Sequence, residues 1–423
     1  MPDARIDCDV LIVGGGLVGS LLANALSGLP LRVVLVEARS VESLEQPSFD
    51  GRATALANGS QRVLEQLGLW ESIRGEAQPI RHIHIGERGR FGAARIDARE
   101  EGVSALGYTV ENRKLGAALW QALAQQPGFS RVSPAEVKGF DCRPGAIEAR
   151  IDSGSARSRI TARLMVAADG AQSKLRHALG IAARIDDYGQ HAIVVNCTTD
   201  EPHRARAFER FTPDGPLAVL PLTRDRVAVV WTLPTRPARS RSAMPASSAG
   251  RILELADDDF RSALQSAFGY RLGHFRRVGR RDMYPLQRVQ SNDVIRERTV
   301  LVGNAAIALH PVAGQGFNLA LRDASALAEL IAEKALAGSS DVGSADLLER
   351  YRRWRSDDQR KLARFTHALI RGFGAQAPGL DALRGAGLMA FDLIPGAKSV
   401  LARHTMGLAG RVPKLARKLS IVG

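Results

Sequence analysis

The apolar run Val10-Leu11-Ile12-Val13 ends in Gly14-Gly15-Gly16, passes into a helical pattern that reaches Leu26, and returns as a second apolar run at residues 31–36, closed by Glu37. This is a β-α-β order with Gly14-x-Gly16-x-x-Gly19 at the strand-to-helix turn. Gly14 permits a tight turn, Gly16 lets the backbone approach a pyrophosphate, and Gly19 lets the helix sit close to the strand. The helix, opening at Leu17, turns its positive N-terminus toward the phosphates, and Glu37 accepts from ribose hydroxyls. A chain that starts this way is committed to a parallel sheet with a crossover helix and to holding a dinucleotide.

Two later segments repeat the strand-then-polar-tip pattern. A run at residues 164–168 leads into Asp169-Gly170-x-x-Ser173-x-x-Arg176. By itself an Asp-Gly pair is only a turn, but here it caps a strand of what reads as the same sheet. The third segment is Leu301-Val302-Gly303-Asn304-Ala305-Ala306, followed by His310-Pro311-Val312-Ala313-Gly314-Gln315-Gly316-Phe317-Asn318 and closing on Arg322-Asp323-Ala324. A strand, a polar tip, a Gly-rich loop and a helix start aim several N–H groups and a positive helix end at one place.

The rest of the chain sorts by periodicity. Residues 51–69 and 115–123 read as helices, and residues 147–151 and 160–167 as strands. Short β-rich runs split by turns, from residue 192 to 234, read as a mostly antiparallel sheet inserted as a second domain. Residues 236–249 are rich in Arg, Ser, Ala and Pro and read as a mobile loop. A long helix is expected from Gly316 to about Ala337, then a helical C-terminal part with a Gly/Pro-punctuated stretch at 372–396. The expected division is a dinucleotide-binding domain in three pieces (1–80, 104–183, 285–345), a substrate domain in two (81–103, 184–284), and a C-terminal helical segment (346–423).

The three motifs, in this order, resemble the flavin hydroxylase family typified by para-hydroxybenzoate hydroxylase. Within it, Phe49-Asp50-Gly51-Arg52-Ala53-Thr54-Ala55-Leu56, residues 207–216 and residues 309–318 look like the ring hydroxylases of ubiquinone biosynthesis. Phe-Asp-Gly-Arg is similar to the members acting on 2-polyprenyl-6-methoxyphenol. The resemblance implies an α/β fold, with a Rossmann-like FAD domain of the GR2 type, an inserted antiparallel substrate sheet and a helical C-terminus. It implies bound FAD contacted by Arg52 and Arg113, Asp169 and Gly170 near the flavin end, Pro311 over the flavin beside His310, and Asn318 at the ring edge. Many members carry Asp where this chain has Asn304; an Asn still hydrogen-bonds a ribityl hydroxyl. Phe208, Arg210, Leu220 and Pro221 are the implied substrate pocket. The implied chemistry is oxygen transfer to a polyprenyl phenol from O2 through a flavin C4a-hydroperoxide, with water excluded. Only one Gly-x-Gly-x-x-Gly is present, so NAD(P)H visits transiently or another protein supplies electrons.

Composition bounds the remaining classes. The chain has 423 residues, 45% hydrophobic and 24% charged, and suits two or three packed domains. Cys8, Cys142 and Cys197 are far apart and suggest neither a metal site nor a disulfide framework, which fits a reduced cytoplasmic compartment. The first residues do not read as a secretion signal, and no stretch approaches the ~20 apolar residues of a membrane span. His82 and His84 share one strand face without a matching partner pair, which disfavours a metal site. The net charge of +14 favours acidic partners. With 5% aromatic residues and no basic–aromatic interleaving, nucleic acid is disfavoured. Arg403, Arg411, Lys414, Arg417 and Lys418, interspersed with Leu388, Met389, Phe391, Leu393, Ile394, Leu401, Leu408, Leu415 and Leu419, suggest peripheral binding to an anionic membrane, or docking on another ubiquinone-biosynthesis protein. The open alternatives are hydroxylation of another ring position or a small phenol, a flavin dehydrogenase or reductase, and a basic membrane-associated assembly protein. A flavin halogenase is disfavoured, since Trp-x-Trp-x-Ile-Pro is lacking.

Overall fold

The computed structural model describes residues 4–40, 52–154, 156–235, 248–339, 341–374 and 395–422. Phe49, Asp50 and Gly51, most of the 236–249 loop, and Leu388, Met389, Phe391, Leu393 and Ile394 lie outside the described residues.

Strand Ala4–Val13 runs into helix Leu17–Leu26 and returns as strand Val33–Val36. Val10 to Val13 and Val33 to Val36 are buried, which is why these strands read as unbroken apolar runs. Five parallel strands lie in the order Thr299–Leu301, Arg157–Ala167, Ala4–Val13, Val33–Val36, Phe129–Val132. Strands Ala146–Asp152 and Glu136–Arg143 extend this sheet antiparallel from Arg157–Ala167. The strand order reverses at Ala4–Val13, and ligands of open α/β sheets bind at the strand ends beside such a switch point. Register completes the arrangement: Val13 lies opposite both Ala167 and Val36, and Ala167 opposite Leu301. The strand ends that carry Gly14, Glu37, Asp169 and Gly303 therefore form one row.

The second sheet has the order Ile307–Ala308, Asp282–Ser291, Ala183–Thr199, Arg226–Pro234, Gly215–Pro221, Arg206–Thr212, His82–Glu87, Ala93–Asp97, with Phe275–Val278 beside Ala183–Thr199. It is antiparallel except where Arg206–Thr212 pairs with His82–Glu87, so the expected inserted sheet is present. One face packs on helix Asp257–Phe268 through Phe208, Val219, Val229, Trp231, Phe260 and Phe268. That helix opens on three Asp residues, which match its positive end, and stops at Gly269 at φ +87°.

Residues 51–69 depart from expectation. Instead of one helix, strand Ala53–Ala57 precedes helix Asn58–Gln66. Ala-Thr-Ala-Leu-Ala has no strong preference of its own; antiparallel pairing with Gly107–Glu111 decides its conformation.

Helix Gln315–Leu336 is buried from Asn318 to Ala332. Its polar residues inside the core belong to a network with helix Ala345–Gly374. Asp323 Oδ1 accepts from Arg355 Nε at 2.6 Å and Oδ2 from Gln359 Nε2 at 2.9 Å. Asp358 Oδ2 accepts from Arg355 Nη2 at 2.6 Å and Arg322 Nε at 3.1 Å. The Arg322-Asp323 pair that closes the third motif thus joins two helices.

The C-terminal residues fold back on the body. Ala402 of helix Pro395–Thr405, and Met406 just beyond its end, pack against Ile96, Ala98 and Leu106. Leu415, expected to face a membrane, is buried, while Leu419 is exposed. Lys414 Nζ lies 3.7 Å from Glu333 and Lys418 Nζ 3.2 Å from Glu65. The alternation of apolar and basic residues here is therefore that of a segment laid on the protein's own core, its bases outward. Among the described residues no helix is long and apolar enough to cross a membrane.

Candidate active site

The row of strand ends opens into a cavity of about 1080 Å³. It is bordered by Gly14, Gly16, Leu17, Glu37, Arg52, Asp169, Gly170, Asn304 and Pro311, and by the run from Gly314 to Asn318. Residues scattered over the chain meet here because parallel strands in register share one carboxyl edge.

Local packing accounts for the glycines. A Cβ on Gly14, at φ +106°, would lie 2.4 Å from Ala168 O, and one on Gly19 would lie 1.9 Å from Gly14 O. These two glycines close the turn against its neighbours. Gly303 is at φ +64° and packs on Val18 of the same helix, while Gly314 caps the buried helix at φ +60°. Gly316 differs: a Cβ there meets nothing within 4 Å, because the position faces open cavity. Glu37 is buried and holds the turn directly, taking Gly15 N–H on Oε2 at 2.5 Å and Arg39 N–H on Oε1 at 2.9 Å. Each carboxylate oxygen retains a second acceptor site.

Asp169 Oδ2 accepts from Leu175 N–H at 3.2 Å. Its Oδ1 is buried at the cavity with no hydrogen-bond partner among the described residues. An uncompensated carboxylate oxygen is costly, so this atom calls for a donor from a bound group. Arg176 of the same motif acts elsewhere. It donates to Ala305 O at 2.9 Å and Ala171 O at 3.1 Å, pinning the second motif to the third.

Asn318 borders the cavity, but its side chain is fully engaged. Oδ1 accepts from Ala57 N–H at 2.8 Å and Ser60 Oγ at 2.7 Å, and Nδ2 donates to Ala55 O and Gly314 O, each at 2.8 Å. It clamps the Gly-rich loop to strand Ala53–Ala57. Asn318→Ala should cost about 3 kcal/mol, from four modest bonds and a stranded buried donor, and loosen cofactor binding with it. Denaturant unfolding of the variant measures this; unchanged stability with lost activity would instead mark Asn318 as acting on the ligand.

His310 does not border the cavity. It is buried, its Nδ1 accepts from Val312 N–H at 3.1 Å, and its ring meets Tyr188 edge-on at 5.1 Å. Burial pushes its pKa down to about 4, so the ring is neutral at physiological pH. Because the folded value lies below the unfolded one, the unfolded chain takes the proton first as pH falls. Stability should decline from about pH 6.5 toward about 4, by up to ~3 kcal/mol from this ring. His84, pushed to about 4 by burial and then by Arg271, acts in the same direction. Unfolding midpoints between pH 7.5 and 4.5 should therefore fall less steeply in His310→Gln than in the unmodified protein.

Two further expectations change place. Arg113 is exposed, gives Nη2 to Glu111 Oε2 at 3.0 Å and does not border the cavity. In the second sheet the period-two alternation turns Ala207, Glu209 and Phe211, with Ala218, Leu220 and Val230, toward the cavity. Phe208 touches the cavity but belongs to the core on the helix side, beside Phe268 at 5.4 Å. Arg210 and Pro221 follow Phe208's side of the sheet and are not in the lining. On strand Arg206–Thr212 the expectation of Arg210 is displaced by its neighbour Glu209, the one carboxylate this sheet contributes to the lining among the described residues. Ile83, Ile85, Ile96, Leu401 and Thr405 complete this end.

The cavity thus has a polar, glycine-walled end at the switch point and an aliphatic end under the second sheet. Such a division suits an extended dinucleotide cofactor with an apolar substrate beyond it, the arrangement of a flavin-dependent aromatic hydroxylase. The comparisons agree. The chain matches the family described as FAD binding domain over residues 7–366, and it belongs to that family as a flavin-dependent monooxygenase of aromatic rings. It is similar to ubiquinone hydroxylase UbiL of Rhodospirillum rubrum, 36% identical over 97% of this chain and 92% of that one. It is also similar to 3-demethoxyubiquinol 3-hydroxylase of Escherichia coli, 30% identical over 95% and 98% of the two chains. Among solved structures, p-nitrophenol 4-monooxygenase PnpA from Pseudomonas putida has the same fold, with a TM-score of 0.78 at 20% identity over 96% of this chain and 99% of that one.

Proposed function

We propose that the protein hydroxylates the ring of a polyprenyl phenol in ubiquinone biosynthesis, using FAD. The observation that carries this reading is the aliphatic end of the cavity, beside a polar end that fits the cofactor; relatives named as ubiquinone hydroxylases support it. The chemistry that bound FAD supplies is reductive activation of O2 and delivery of one oxygen atom to an electron-rich ring carbon.

The chain's own residues bind, orient and exclude water. The turn Gly14-Gly15-Gly16 and the N-terminus of helix Leu17–Leu26 take the pyrophosphate, with Gly19 keeping that helix close. Glu37 takes a ribose hydroxyl on its remaining acceptor sites, and Arg52 adds charge at the cavity wall. Asp169 Oδ1 takes the donor that it lacks, with Gly170 at φ +89° freeing the approach. Asn304 holds a hydroxyl of the chain joining pyrophosphate to flavin, while Gly303, which does not border the cavity, gives the turn its positive φ behind it. Pro311, Gly314, Gln315, Gly316 and Phe317 face the ring system, where the N-terminus of helix Gln315–Leu336 favours negative charge. Asn318 fixes this loop, and His310 supports it from behind through Val312. Leu220, with Ile83, Ile85, Val230 and Leu401, holds the substrate and keeps water out, and Glu209 accepts from the phenol hydroxyl. Phe208 supports that wall from the core side. Reducing equivalents come from NAD(P)H or from a partner protein, and the enzyme works at the cytoplasmic membrane surface, where its substrate is dissolved.

Lipid-quinone analysis of a deletion strain tests the assignment. The strain should accumulate a prenylated phenol lacking one hydroxyl, and the purified yellow protein should convert that compound with uptake of O2. Normal quinone levels in the deletion strain, with no conversion in vitro, would overturn it.

A further inference from the structure

A second cleft, of about 800 Å³, lies between the C-terminal residues and the body of the protein. Helix Pro395–Thr405 separates it from the main cavity. Leu401 and Thr405 border the main cavity, whereas Ser399 and Arg403 border the cleft. Arg62, Arg403, Arg411 and Arg417 all line it. They come from helix Asn58–Gln66, helix Pro395–Thr405 and the last stretch of chain, so tertiary folding gathers them.

The acids at this rim have hydrogen-bond or ion-pair partners that three of the arginines lack. Glu329 Oε2 accepts from Lys414 N–H at 2.6 Å, Glu101 Oε2 from Ser399 Oγ at 3.0 Å, and Glu100 pairs with Lys398 Nζ at 3.4 Å. The side chains of Arg62, Arg403 and Arg417 have no hydrogen bond or ion pair among the described residues. Arg411 is held in place over the Trp354 ring, 4.0 Å from its centroid, while Trp354 Nε1 donates to Arg411 O at 3.0 Å. Four guanidinium groups line this concave site against three carboxylates, Glu100, Glu101 and Glu329, and the excess of positive charge favours an anion. Their forked donors match phosphate oxygens in geometry as well as charge.

We propose that this cleft binds a phosphate group, either free or on the headgroup of an anionic lipid. The proposal stands apart from the hydroxylation chemistry. Its consequence for the main cavity is mechanical: an anion shared by Arg403, Arg62 and Arg417 ties down the helix whose other side, Leu401 and Thr405, walls the substrate end.

The test uses the flavin-loaded protein and two probes, pyrophosphate by calorimetry at low salt, and vesicles of phosphatidylglycerol in phosphatidylcholine against phosphatidylcholine alone. The variant Arg62→Gln/Arg403→Gln/Arg417→Gln removes the unpartnered charges. Arg157→Gln/Arg206→Gln/Arg277→Gln removes equal charge elsewhere. Binding should weaken at least tenfold in the first variant and less than twofold in the second. Single changes at Arg403 and Arg417, each expected to weaken binding about threefold, serve if the first variant folds poorly. Loss of vesicle binding alone assigns a lipid headgroup, loss of pyrophosphate binding alone assigns free phosphate, and loss of both supports the shared chemistry. Absence of binding to either probe, or equal losses in the two triple variants, would overturn the proposal.

Discussion

Asp323→Ala should leave the protein largely insoluble, or unfolding at far lower denaturant than the unmodified chain. The substitution takes the Nε partner, 2.6 Å away, from an Arg355 side chain that is 1% exposed, and leaves that buried guanidinium with Asp358 alone, a carboxylate it shares with Arg322. It also takes the acceptor from Gln359 Nε2. Breaking a buried pair from one side costs about 3–5 kcal/mol, a large part of the ~5–15 kcal/mol that holds a folded protein together. The double change Asp323→Leu/Arg355→Met should recover more than half of that loss, because an apolar replacement leaves no charge stranded; Asp358 keeps Arg322 at 3.1 Å. Urea unfolding followed by tryptophan fluorescence and by flavin release measures both effects. A single-variant cost under ~1 kcal/mol would mean that apolar packing, and not this network, joins the two long helices.

Gly316→Leu should leave the fold intact and abolish flavin binding. A Cβ at this position meets no protein atom within 4 Å, and a non-glycine residue favours the helix it sits in by up to ~1 kcal/mol. The side chain would instead fill the cavity where the Gly-rich loop faces the proposed flavin ring. Affinity for FAD should fall at least ~100-fold with the melting temperature of the apoprotein unchanged or raised. Gly19→Ala offers the contrast. Its Cβ would lie 1.9 Å from Gly14 O, so that change must lower flavin binding and stability together. Flavin titration alongside thermal melting separates the two, and normal FAD binding by Gly316→Leu would place the cofactor away from this loop.

The parts of the site that were legible beforehand share one property: a backbone requirement that few residues meet. Gly14 and Gly303 need positive φ, Gly19 a close approach, and Asp169 stands where a buried strand ends. Such requirements leave a mark in residue type and spacing. The side-chain partners left no such mark. Asn318, read as facing a ring edge, has its four bonds committed to Ala55, Ala57, Ser60 and Gly314, and three of these lie far away in sequence. His310 looked reactive beside Pro311, yet Val312 N–H and Tyr188 make it a packed, neutral ring. Arg113 turns to its neighbour Glu111.

From sequence alone came the nucleotide-binding β-α-β unit, the inserted antiparallel sheet and the three motifs at strand ends, because hydrophobic period and glycine placement are local properties. Tertiary structure decided what depends on partners brought from afar. Pairing with Gly107–Glu111 made residues 53–57 a strand and not a helix. The register of the second sheet chose Glu209 over Arg210 for the cavity, since a shift of one residue exchanges the two faces. The described C-terminal apolar residues packed on the body of the protein, Ala402 and Met406 against Ile96, Ala98 and Leu106, which left Arg403 and Arg417 lining a cleft with Arg62. An amphipathic pattern states only that one side will be buried; what buries it is decided by the rest of the chain.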